Sequence, residues 1–500
     1  MTLASIMNEA LKTTSAEPAI RFGDRHYEWG WMRFVADRLG DILQAASISA
    51  DTPIGIIARN RPAFAASLLG CLRDSRSVVM IYAFQSAEAI ATDIAQLNLA
   101  AIVADTQDWT EVVKDAARAA GTLAIAVDSN DHRPINLVPG LDRVGAGTHR
   151  ESFAVPGIET LTSGTTGVPK RFLMSFDLIS RSMVGENIVK VDTSGAAVAP
   201  AYIFLPFGNI SGLYSYLPKA AAGHPSILAE KFSVSLWRDV VTTYRPMTVG
   251  LPPAGVQMVL AENVDPADLS SLKYVSSGAA GIDPLVHRAF EKRYDIPLLL
   301  SYGATEFGGP VTLMTYELRQ AFGDDKFDSV GRPWAGAQLR VVDPVTWEPL
   351  AAGEEGLLEV ITPRIGPDWI RTTDLAMIDE DGFIFHRGRA DGAIMRGGFK
   401  IIPEMVVEAL QKHPSIAAAA VVGLPDMRLG QVPVAAVELS PGSPAPSATE
   451  LETHARRHLS ATHVPVCFLI VDALPRTPSM KVSIPGVLAL FTEQAKCEEA

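Results

Sequence analysis

Cysteine is scarce in this chain. The 500 residues include three cysteines, Cys71, Cys467 and Cys497, and their spacing contains neither a Cys-x-x-Cys pair nor a metal-binding pattern. This spacing excludes a disulfide framework and a cysteine-based zinc site. Cys71 lies in an apolar run, where we expect a core residue. Because so few cysteines fit a reducing compartment, we predict a cytoplasmic protein.

Long apolar runs and an excess of positive charge are also missing. No segment reaches the roughly 18 consecutive apolar residues of a membrane-spanning helix. The N-terminus has no basic region followed by an apolar stretch, so we expect no signal peptide. Lysine and arginine number 43 against 56 aspartates and glutamates, which gives a net charge of −13. Such an acidic chain is a poor general binder of nucleic acid, and any anion-binding site must depend on individual arginines and lysines.

Strand-like and helix-like segments alternate along the first part of the chain. Residues 53–58 and 77–82 read as buried strands, and residues 62–72 and 87–97 read as helices. This alternation predicts βαβ units, in which helices cover parallel sheets. Ligands of such open sheets bind at the carboxyl ends of the strands. A chain of this length also exceeds a single hydrophobic core, so we expect two or more domains.

The most informative segment, residues 161–170, reads Leu-Thr-Ser-Gly-Thr-Thr-Gly-Val-Pro-Lys. Its glycines let the backbone approach a ligand closely, and its hydroxyl groups and backbone N–H groups can face one anion together. The lysine adds a positive charge. The segment therefore predicts a phosphate-binding loop after a strand end, formed by Thr162, Ser163, Gly164, Thr165, Thr166, Gly167 and Lys170.

This loop has two other interpretations. Clusters of serine, threonine and glycine are most often plain surface loops. The P-loop of kinases and GTPases requires Gly-x-x-x-x-Gly-Lys-Ser/Thr. Here only two residues separate the glycines, and Pro169 precedes the lysine, which excludes the P-loop.

Four further segments follow in a fixed order. They read Ser-Tyr-Gly-Ala-Thr-Glu at 301–306, Arg-Thr-Thr-Asp-Leu at 371–375, Gly-Arg-Ala-Asp-Gly-Ala-Ile-Met-Arg-Gly-Gly-Phe-Lys-Ile-Ile-Pro-Glu at 388–404, and Leu-Pro-Arg-Thr-Pro-Ser-Met-Lys-Val at 474–482. Together with the loop, they resemble the adenylate-forming superfamily of acyl-CoA synthetases, peptide-synthetase adenylation domains and beetle luciferases. The resemblance covers nearly the whole chain.

The resemblance implies an α/β fold with two domains. Residues 1–389 would form a large N-terminal domain of parallel sheets flanked by helices, with a β-rich subdomain, and would hold ATP and the acyl group. Residues 390–500 would form a small, mobile α+β domain that carries the catalytic lysine. Asp391 matches the hinge position of the family, where a few residues absorb large changes in φ and ψ. The alternative for Asp391 is an exposed turn residue.

The implied reaction has two steps and requires ATP, Mg²⁺ and CoA. A carboxylic acid attacks the α-phosphate of ATP, which gives acyl-AMP and pyrophosphate, and a thiol then takes the acyl group. CoA is the expected acceptor, with a separate acyl-carrier protein as the alternative. A further alternative is an inactive family member that binds nucleotide without turnover. No residue here supports luciferase-like oxygen chemistry. The oligomeric state is open, with a homodimer as one alternative.

The resemblance assigns the catalytic roles to three residues. Lys481 would bridge the carboxylate and the phosphate, a task that suits a flexible ammonium group. Glu306 would bind Mg²⁺, since hard cations prefer carboxylate and phosphate oxygens, and Thr305 would contact the α-phosphate. The alternative for Glu306 is an acid in a first helical turn, held by the helix dipole. Met480 precedes the lysine where the family usually has glycine.

Further residues would contact the rest of the nucleotide and CoA. Asp374 would accept hydrogen bonds from the ribose hydroxyls, although Thr373 replaces the glycine that usually precedes it. The segment at 277–280 resembles the adenine-contacting loop, and a plain strand-to-helix turn is an equal alternative. The predicted nucleotide contacts are Gly278, Ala279, Ala280, Tyr302, Gly303, Asp374 and Arg389, and the predicted CoA contacts are Arg396, Gly397 and Gly398.

The segment 204–213, Phe-Leu-Pro-Phe-Gly-Asn-Ile-Ser-Gly-Leu, resembles the acyl-pocket segment of the family. It has no aspartate to pair with an α-ammonium group, which argues against an amino-acid substrate. Gly208 and Asn209 stand where many members have an aromatic residue and histidine, so we expect room for a bulky or ring-containing acid. The predicted pocket residues are Phe207, Gly208, Asn209, Phe307 and Gly308.

Overall fold

A computed structural model describes most of the chain: residues 2–13, 15–162, 170–184, 199–279, 281–282, 284–389, 392–440, 442–475 and 484–498. For residues 161, 162, 170, 285, 389, 404, 485 and 493–498 the backbone alone is described.

The strands are short, and most belong to parallel pairs or tight hairpins. In chain order they are β1 Pro18–Phe22, β2 Arg25–Glu28, β3 Ile54–Ala58, β4 Val78–Tyr82, β5 Ala101–Asp105, β6 Leu123–Val127, β7 Ile135–Leu137, β8 Gly157–Thr162, β9 Lys170–Ser175, β10 Ala201–Ile203, β11 Ser226–Leu228, β12 Thr248–Gly250, β13 Tyr274–Ser277, β14 Leu298–Ala304, β15 Gly309–Leu313, β16 Arg332–Pro333, β17 Gln338–Val342, β18 Glu355–Thr362, β19 Gly366–Ile378, β20 Ile384–Arg389, β21 Ile394–Arg396, β22 Phe399–Ile401, β23 Ile416–Asp426, β24 Gly430–Leu439 and β25 Cys467–Val471.

The helices lie mainly between successive strands. They are α1 Leu3–Leu11, α2 Trp29–Ala45, α3 Pro62–Arg73, α4 Ala87–Leu97, α5 Glu111–Ala120, α6 Phe176–Ile179, α7 Ile210–Ala221, α8 Val234–Tyr244, α9 Pro253–Ala261, α10 Pro284–Tyr294, α11 Tyr316–Phe322, α12 Pro403–Gln411, α13 Ala448–His458 and α14 Ile484–Glu498. Short 3₁₀ turns occur at Thr106–Asp108, Pro266–Leu269, Thr305–Phe307 and Gly323–Lys326.

Three sheets of the large domain contain parallel cores. The first has the order β7-β6-β5-β3-β4-β8-β9 and is parallel from β6 to β8, with antiparallel strands at both edges. The second has the order β12-β13-β14-β15-β16 and begins with three parallel strands. The third has the order β10-β11-β1-β2. The predicted parallel α/β architecture is therefore confirmed.

Local sequence explains where several helices begin and end. Proline occupies the first position of α3, where its missing N–H costs no hydrogen bond. Ser86 caps α4 through its side chain, and Gly121 ends α5 with a φ of 65°. Ser447 and Glu450 form a reciprocal capping box at the start of α13. Helix α3 is buried along nearly its whole length because it packs beneath the first sheet and against α2.

The remaining sheets are largely antiparallel. Strands β17 to β20 form a four-stranded meander that ends at Arg389. A last sheet, with the order β22-β21-β24-β23 and with β25 paired to β24, uses residues from Ile394 onward. It has its own buried cores beneath α12, α13 and α14. Among the described residues, no helix combines the length and apolar character that crossing a bilayer requires.

Candidate active site

A cavity of about 880 Å³ lies at the carboxyl ends of the parallel strands. Tyr82 enters it from the end of β4, Ser277 from the end of β13 and Tyr302 from β14, and Gly398 and Phe399 reach it from the β21–β22 hairpin of the small domain. This volume lies within the usual range for small-molecule sites. Both domains therefore contribute walls to one site.

The predicted phosphate loop connects β8 to β9. The two strands are antiparallel, and Thr162 pairs with Lys170 at the base of the loop. Ser163, Gly164, Thr165, Thr166 and Gly167 lie outside the described residues, as do the side chains of Thr162 and Lys170. Their contacts with phosphate therefore stay a prediction.

The strands beneath this loop are held by a buried ionic cluster. Glu159 on β8 is 6% exposed and accepts two hydrogen bonds from Arg150, at 3.0 and 2.7 Å. Arg171 on β9 lies 3.5 Å from the same carboxylate and donates to the carbonyl of Met80 at 3.2 Å. Burial lowers the pKa of Arg171. Pairing compensates the burial of these charges, and the cluster joins β8, β9 and β4 beneath the loop.

Gly278 and Ala279 line the cavity. A side chain at Gly278 would place its Cβ 2.5 Å from Ser301 Oγ, so only glycine lets this turn lie against β14. Ala279 has a φ of 66°, which side chains tolerate poorly. The segment is thus both a tight turn after β13 and a wall of the cavity. Ala280 lies outside the described residues.

Tyr302 and Asp374 meet although they belong to different sheets. The Tyr302 hydroxyl donates to Asp374 Oδ2 at 2.5 Å. His386 Nε2 lies 3.5 Å from Asp374 Oδ1, and His386 Nδ1 accepts from the N–H of Gly388 at 3.3 Å, which favours a proton on Nε2. Asp374 is 8% exposed. The carboxylate is therefore oriented from two sides.

A bulge in β19 accommodates Thr373. Against β18, Leu375 pairs with Leu357 and Arg371 pairs with Glu359, so extra residues between them bend the strand. Thr372 Oγ1 donates to the carbonyl of Leu358 at 2.7 Å and accepts from the N–H of Asp374 at 3.0 Å. Thr373 is absent from the positive-φ positions, so the usual glycine is not required here.

Thr305 and Glu306 begin a 3₁₀ turn directly after β14. Thr305 lines the cavity, and so does Gly303. Glu306 is half-buried, and among the described residues it has no hydrogen-bond or ion-pair partner. Glu306 is not among the residues that line the cavity, so its role as a Mg²⁺ ligand, with phosphate oxygens and water completing the set, stays a prediction.

The acyl-pocket segment is held by a buried amide. Asn60, 1% exposed, donates to the carbonyls of Leu205 and Ala229 at 2.9 and 3.1 Å and accepts from the N–H of Phe207 at 3.0 Å. Gly208 and Asn209 line the cavity. Phe207 is fully buried and packs on Phe64 instead, with ring centroids 5.5 Å apart, so it supports the wall from behind.

The far wall of the pocket depends on Tyr214. Its hydroxyl donates to the carbonyl of Gly308 at 2.6 Å, and its ring lies against Gly309, where a Cβ would come within 2.3 Å of Tyr214 Cε2. Tyr214 and Gly309 line the cavity, whereas Phe307 is 2% exposed and packs in the core of the second sheet. Gly308, expected in the pocket, is not among the residues that line the cavity, and its carbonyl accepts the hydrogen bond from Tyr214.

We expect Gly309→Ala to lower the free energy of unfolding by about 2–3 kcal/mol, because the methyl group overpacks the Tyr214 ring and the φ of 122° is strained for alanine. Denaturant unfolding measures this change. Gly382→Ala is the matched control, since its φ is 76° but no atom lies within 4 Å of its Cβ. It should cost only about 1 kcal/mol, and equal losses in both variants would contradict the overpacking argument.

The small domain presents the β21–β22 turn to the cavity. Gly397 and Gly398 have φ values of 55° and 86°, so glycine suits both positions. Gly398 lines the cavity. The Arg396 guanidinium donates to the carbonyls of Thr462 and Val464 at 2.7 and 3.1 Å, which ties the hairpin to the loop before β25, and burial lowers its pKa.

Three predicted positions of this region lack described side chains. Arg389 pairs through its backbone with Asp374. Asp391 and Lys481 lie outside the described residues, as does Met480. The hinge and the catalytic lysine therefore stay predictions.

Sequence reasoning missed Asn60, Tyr82, His386 and Tyr214. Asn60 lies between the apolar strand β3 and the helix α3, and a polar side chain at such a place was a signal for a structural hydrogen bond. The other three have no local signal, because their partners lie in distant segments.

Two family models match most of the chain. Residues 7–367 match the family model described as AMP-binding enzyme, and residues 406–481 match the AMP-binding enzyme C-terminal domain. The chain therefore belongs to the AMP-binding enzyme family, and the resemblance to adenylate-forming enzymes is confirmed.

Its relatives differ in acid and acceptor. The indoleacetate–CoA ligase of Aromatoleum aromaticum is 25% identical over 96% of each chain. The fatty acid–[acyl-carrier-protein] ligase ScoC of Streptomyces coeruleorubidus is 28% identical over 65% of this chain and 66% of that protein, so this chain matches just under two thirds of its length.

Two solved structures share the fold over nearly the whole length. A double mutant of o-succinylbenzoate CoA synthetase (MenE) from Bacillus subtilis, bound with the product analogue OSB-NCoA, has a TM-score of 0.76 at 21% identity and covers 97% of this chain and 98% of its own. The amide bond synthetase McbA from Marinactinospora thermotolerans has a TM-score of 0.80 at 23% identity, over 98% of this chain and 100% of that one.

Proposed function

We propose that this chain is an AMP-forming acid–CoA ligase, which activates a carboxylic acid as acyl-AMP and transfers the acyl group to the thiol of CoA. The observation that carries the proposal is the shared cavity. Tyr302 and Thr305 on the nucleotide side, Gly208 and Asn209 on the acyl side, and Gly398 of the small domain all line it. A site with these three walls can hold nucleotide, acid and acceptor within reach of one another.

In the first step, the residues must bring two anions together. The loop at 162–170 would bind the β- and γ-phosphates through preorganised donors, and Thr305 would donate to the α-phosphate. Lys481 would bridge the attacking carboxylate and that phosphate. Mg²⁺, held by Glu306, would neutralise phosphate charge when bound. Asp374 would bind the ribose hydroxyls, with its carboxylate already oriented by Tyr302 and His386.

In the second step, the acceptor would pass the glycines of the β21–β22 turn. Gly397 and Gly398 leave the backbone uncovered, so a narrow chain such as the pantetheine arm can lie against it. The thiolate sulfur forms a bond to the acyl carbon while the bond from that carbon to the AMP phosphate oxygen breaks. AMP leaves with the electron pair, and the thiol proton passes to water.

The shape of the acyl wall favours a bulky or ring-containing acid. Gly208 takes up little space, and the same cavity is lined by the rings of Tyr202, Phe204 and Tyr214. The Tyr202 and Phe204 rings are 5.3 Å apart. An aromatic lining of this kind suits flat apolar substrates. The segment lacks an aspartate for an α-ammonium group, which argues against amino acids.

The acceptor separates the main proposal from its alternative. One relative is a ligase for an acyl-carrier protein, so an acyl-carrier protein is the alternative to CoA. Both acceptors present a thiol on the same pantetheine chemistry, so the walls described above suit either one.

The test is acid-dependent pyrophosphate release with ATP and Mg²⁺, measured across aryl, cyclic, fatty and amino acids. We expect release with a ring-containing acid, and AMP plus thioester once CoA is added. Pyrophosphate release followed by acyl transfer only to a carrier protein would support the carrier-protein alternative. Amide formation with an added amine would replace both the CoA proposal and that alternative. ATP binding without release for any acid would overturn the proposal and favour an inactive nucleotide-binding protein.

A further inference from the structure

The two domains meet at an aromatic contact beside the acyl wall. Tyr82 ends the central strand β4, and its ring meets the ring of Phe399 edge to face, with centroids 6.2 Å apart. Phe399 begins β22, directly after the two glycines of the small-domain hairpin. Both side chains line the cavity. Neither residue takes part in the reaction steps proposed above.

Tyr82 also lies beside the small acyl-wall residue Gly208. A Cβ on Gly208 would lie 3.8 Å from Tyr82 Cδ2, in ordinary contact, and 3.4 Å from Ala58 Cβ. The tyrosine ring is therefore a direct neighbour of Gly208 in the acyl wall. Its position connects the acyl wall on one side with the small-domain hairpin on the other.

The surroundings of Tyr82 are apolar. Burial raises the pKa of its hydroxyl, so it stays protonated. Among the described residues this hydroxyl has no hydrogen-bond partner, and it is not one of the fully enclosed polar atoms. Tyr82 and Phe399 therefore meet through their rings.

We propose that Tyr82 and Phe399 form an aromatic closure that keeps water away from the acyl-adenylate and positions the acceptor thiol for attack. The contact needs both domains, so it exists when the small domain lies as it does here and is broken when that domain turns away. This inference rests on the proposed function. Tyr82 and Phe399 are positioning residues, because the groups that react belong to the substrates.

The variants separate the two steps of the reaction. In Phe399→Ala and Tyr82→Ala, we expect thioester formation to fall about tenfold more than acid-dependent ATP–pyrophosphate exchange, as for a loss of positioning. Hydroxylamine, a small nucleophile, should trap more acyl group as hydroxamate in these two variants than in the wild type. Tyr82→Phe, which keeps the ring, should restore the wild-type ratio of thioester to hydroxamate.

Phe84→Ala is the matched control. Its ring contacts Tyr82 at 5.7 Å, but it makes no ring contact with Phe399, so we expect the ratio to stay that of the wild type. Parallel loss of both steps in Phe399→Ala would indicate a general structural role and overturn the proposal. An unchanged ratio in both ring-removing variants would overturn it as well.

Amide hydrogen exchange tests the closure without any activity. Tyr82→Ala lies in the large domain, yet it should speed exchange across residues 394–401 of the small-domain hairpin, whereas Phe84→Ala should not. Equal exchange in wild type and Tyr82→Ala would overturn the closure. Absence of pyrophosphate exchange in the wild type would instead overturn the proposed function, so the two failures are distinguishable.

Discussion

Lys481→Ala is expected to reduce acid-dependent pyrophosphate release at least a hundredfold, the usual cost of removing a group that stabilises developing charge. The first step brings a carboxylate to a phosphate inside a protein with a net charge of −13. Of the basic residues near the hairpin, Arg396 already donates to backbone carbonyls. The family resemblance gives the task of joining the two anions to Lys481, whose long, flexible ammonium group suits it.

Two comparisons make this prediction specific. Thioester formation from a supplied acyl-adenylate should fall much less in Lys481→Ala, because that step no longer joins two anions. Lys292→Ala removes an exposed lysine at the end of α10 and should leave the rate unchanged. Full acid-dependent activity in Lys481→Ala would show that the lysine has been wrongly assigned.

Asp374→Ala is expected to raise the KM for ATP by about 10- to 100-fold, since hydrogen bonds to a charged group contribute about 1.5–3 kcal/mol. The variant also removes the acceptor of the Tyr302 hydroxyl. Wild type should discriminate strongly between ATP and 2′-deoxy-ATP, and Asp374→Ala should lose this discrimination. Steady-state kinetics with both nucleotides measures the effect.

The matched control for Asp374 is Asp379→Ala. That carboxylate also accepts hydrogen bonds, but from Lys326 and from backbone N–H groups of an exposed turn, far from the nucleotide walls. Asp379→Ala should change the free energy of unfolding but leave the discrimination between ATP and 2′-deoxy-ATP unchanged. If Asp374→Ala still prefers ATP to its deoxy analogue, the ribose assignment fails.

Much of the architecture was predictable, because the spacing of apolar residues along the sequence indicates which side of a helix or strand is buried. The helix predicted at 87–97 and the strands predicted at 53–58 and 77–82 appear within a residue of their expected bounds. The extent of β14 to Ala304 could not be predicted in this way, because its second half pairs with the antiparallel strand β15. Such pairing depends on a distant segment and has no local signal.

The site was only partly predictable, for a related reason. Motif order predicted that Tyr302 and Asp374 serve one nucleotide, and the structure brings them into contact. Motif membership does not say which way a side chain points, so Phe207 and Phe307 were expected in the acyl pocket yet pack in hydrophobic cores. Tyr82 and Phe399 lie more than 300 positions apart in the sequence, and only the folded chain joins them.

Asn60 has a consequence for the order of folding. Its amide joins a residue of the first sheet region to carbonyls at Leu205 and Ala229, which leave the ribosome much later. Contacts between such distant segments form slowly, since loop closure must precede them. Until then the amide stays hydrated and the acyl wall cannot exist. The acyl wall therefore requires all three segments, and a nascent chain that ends before residue 229 lacks it.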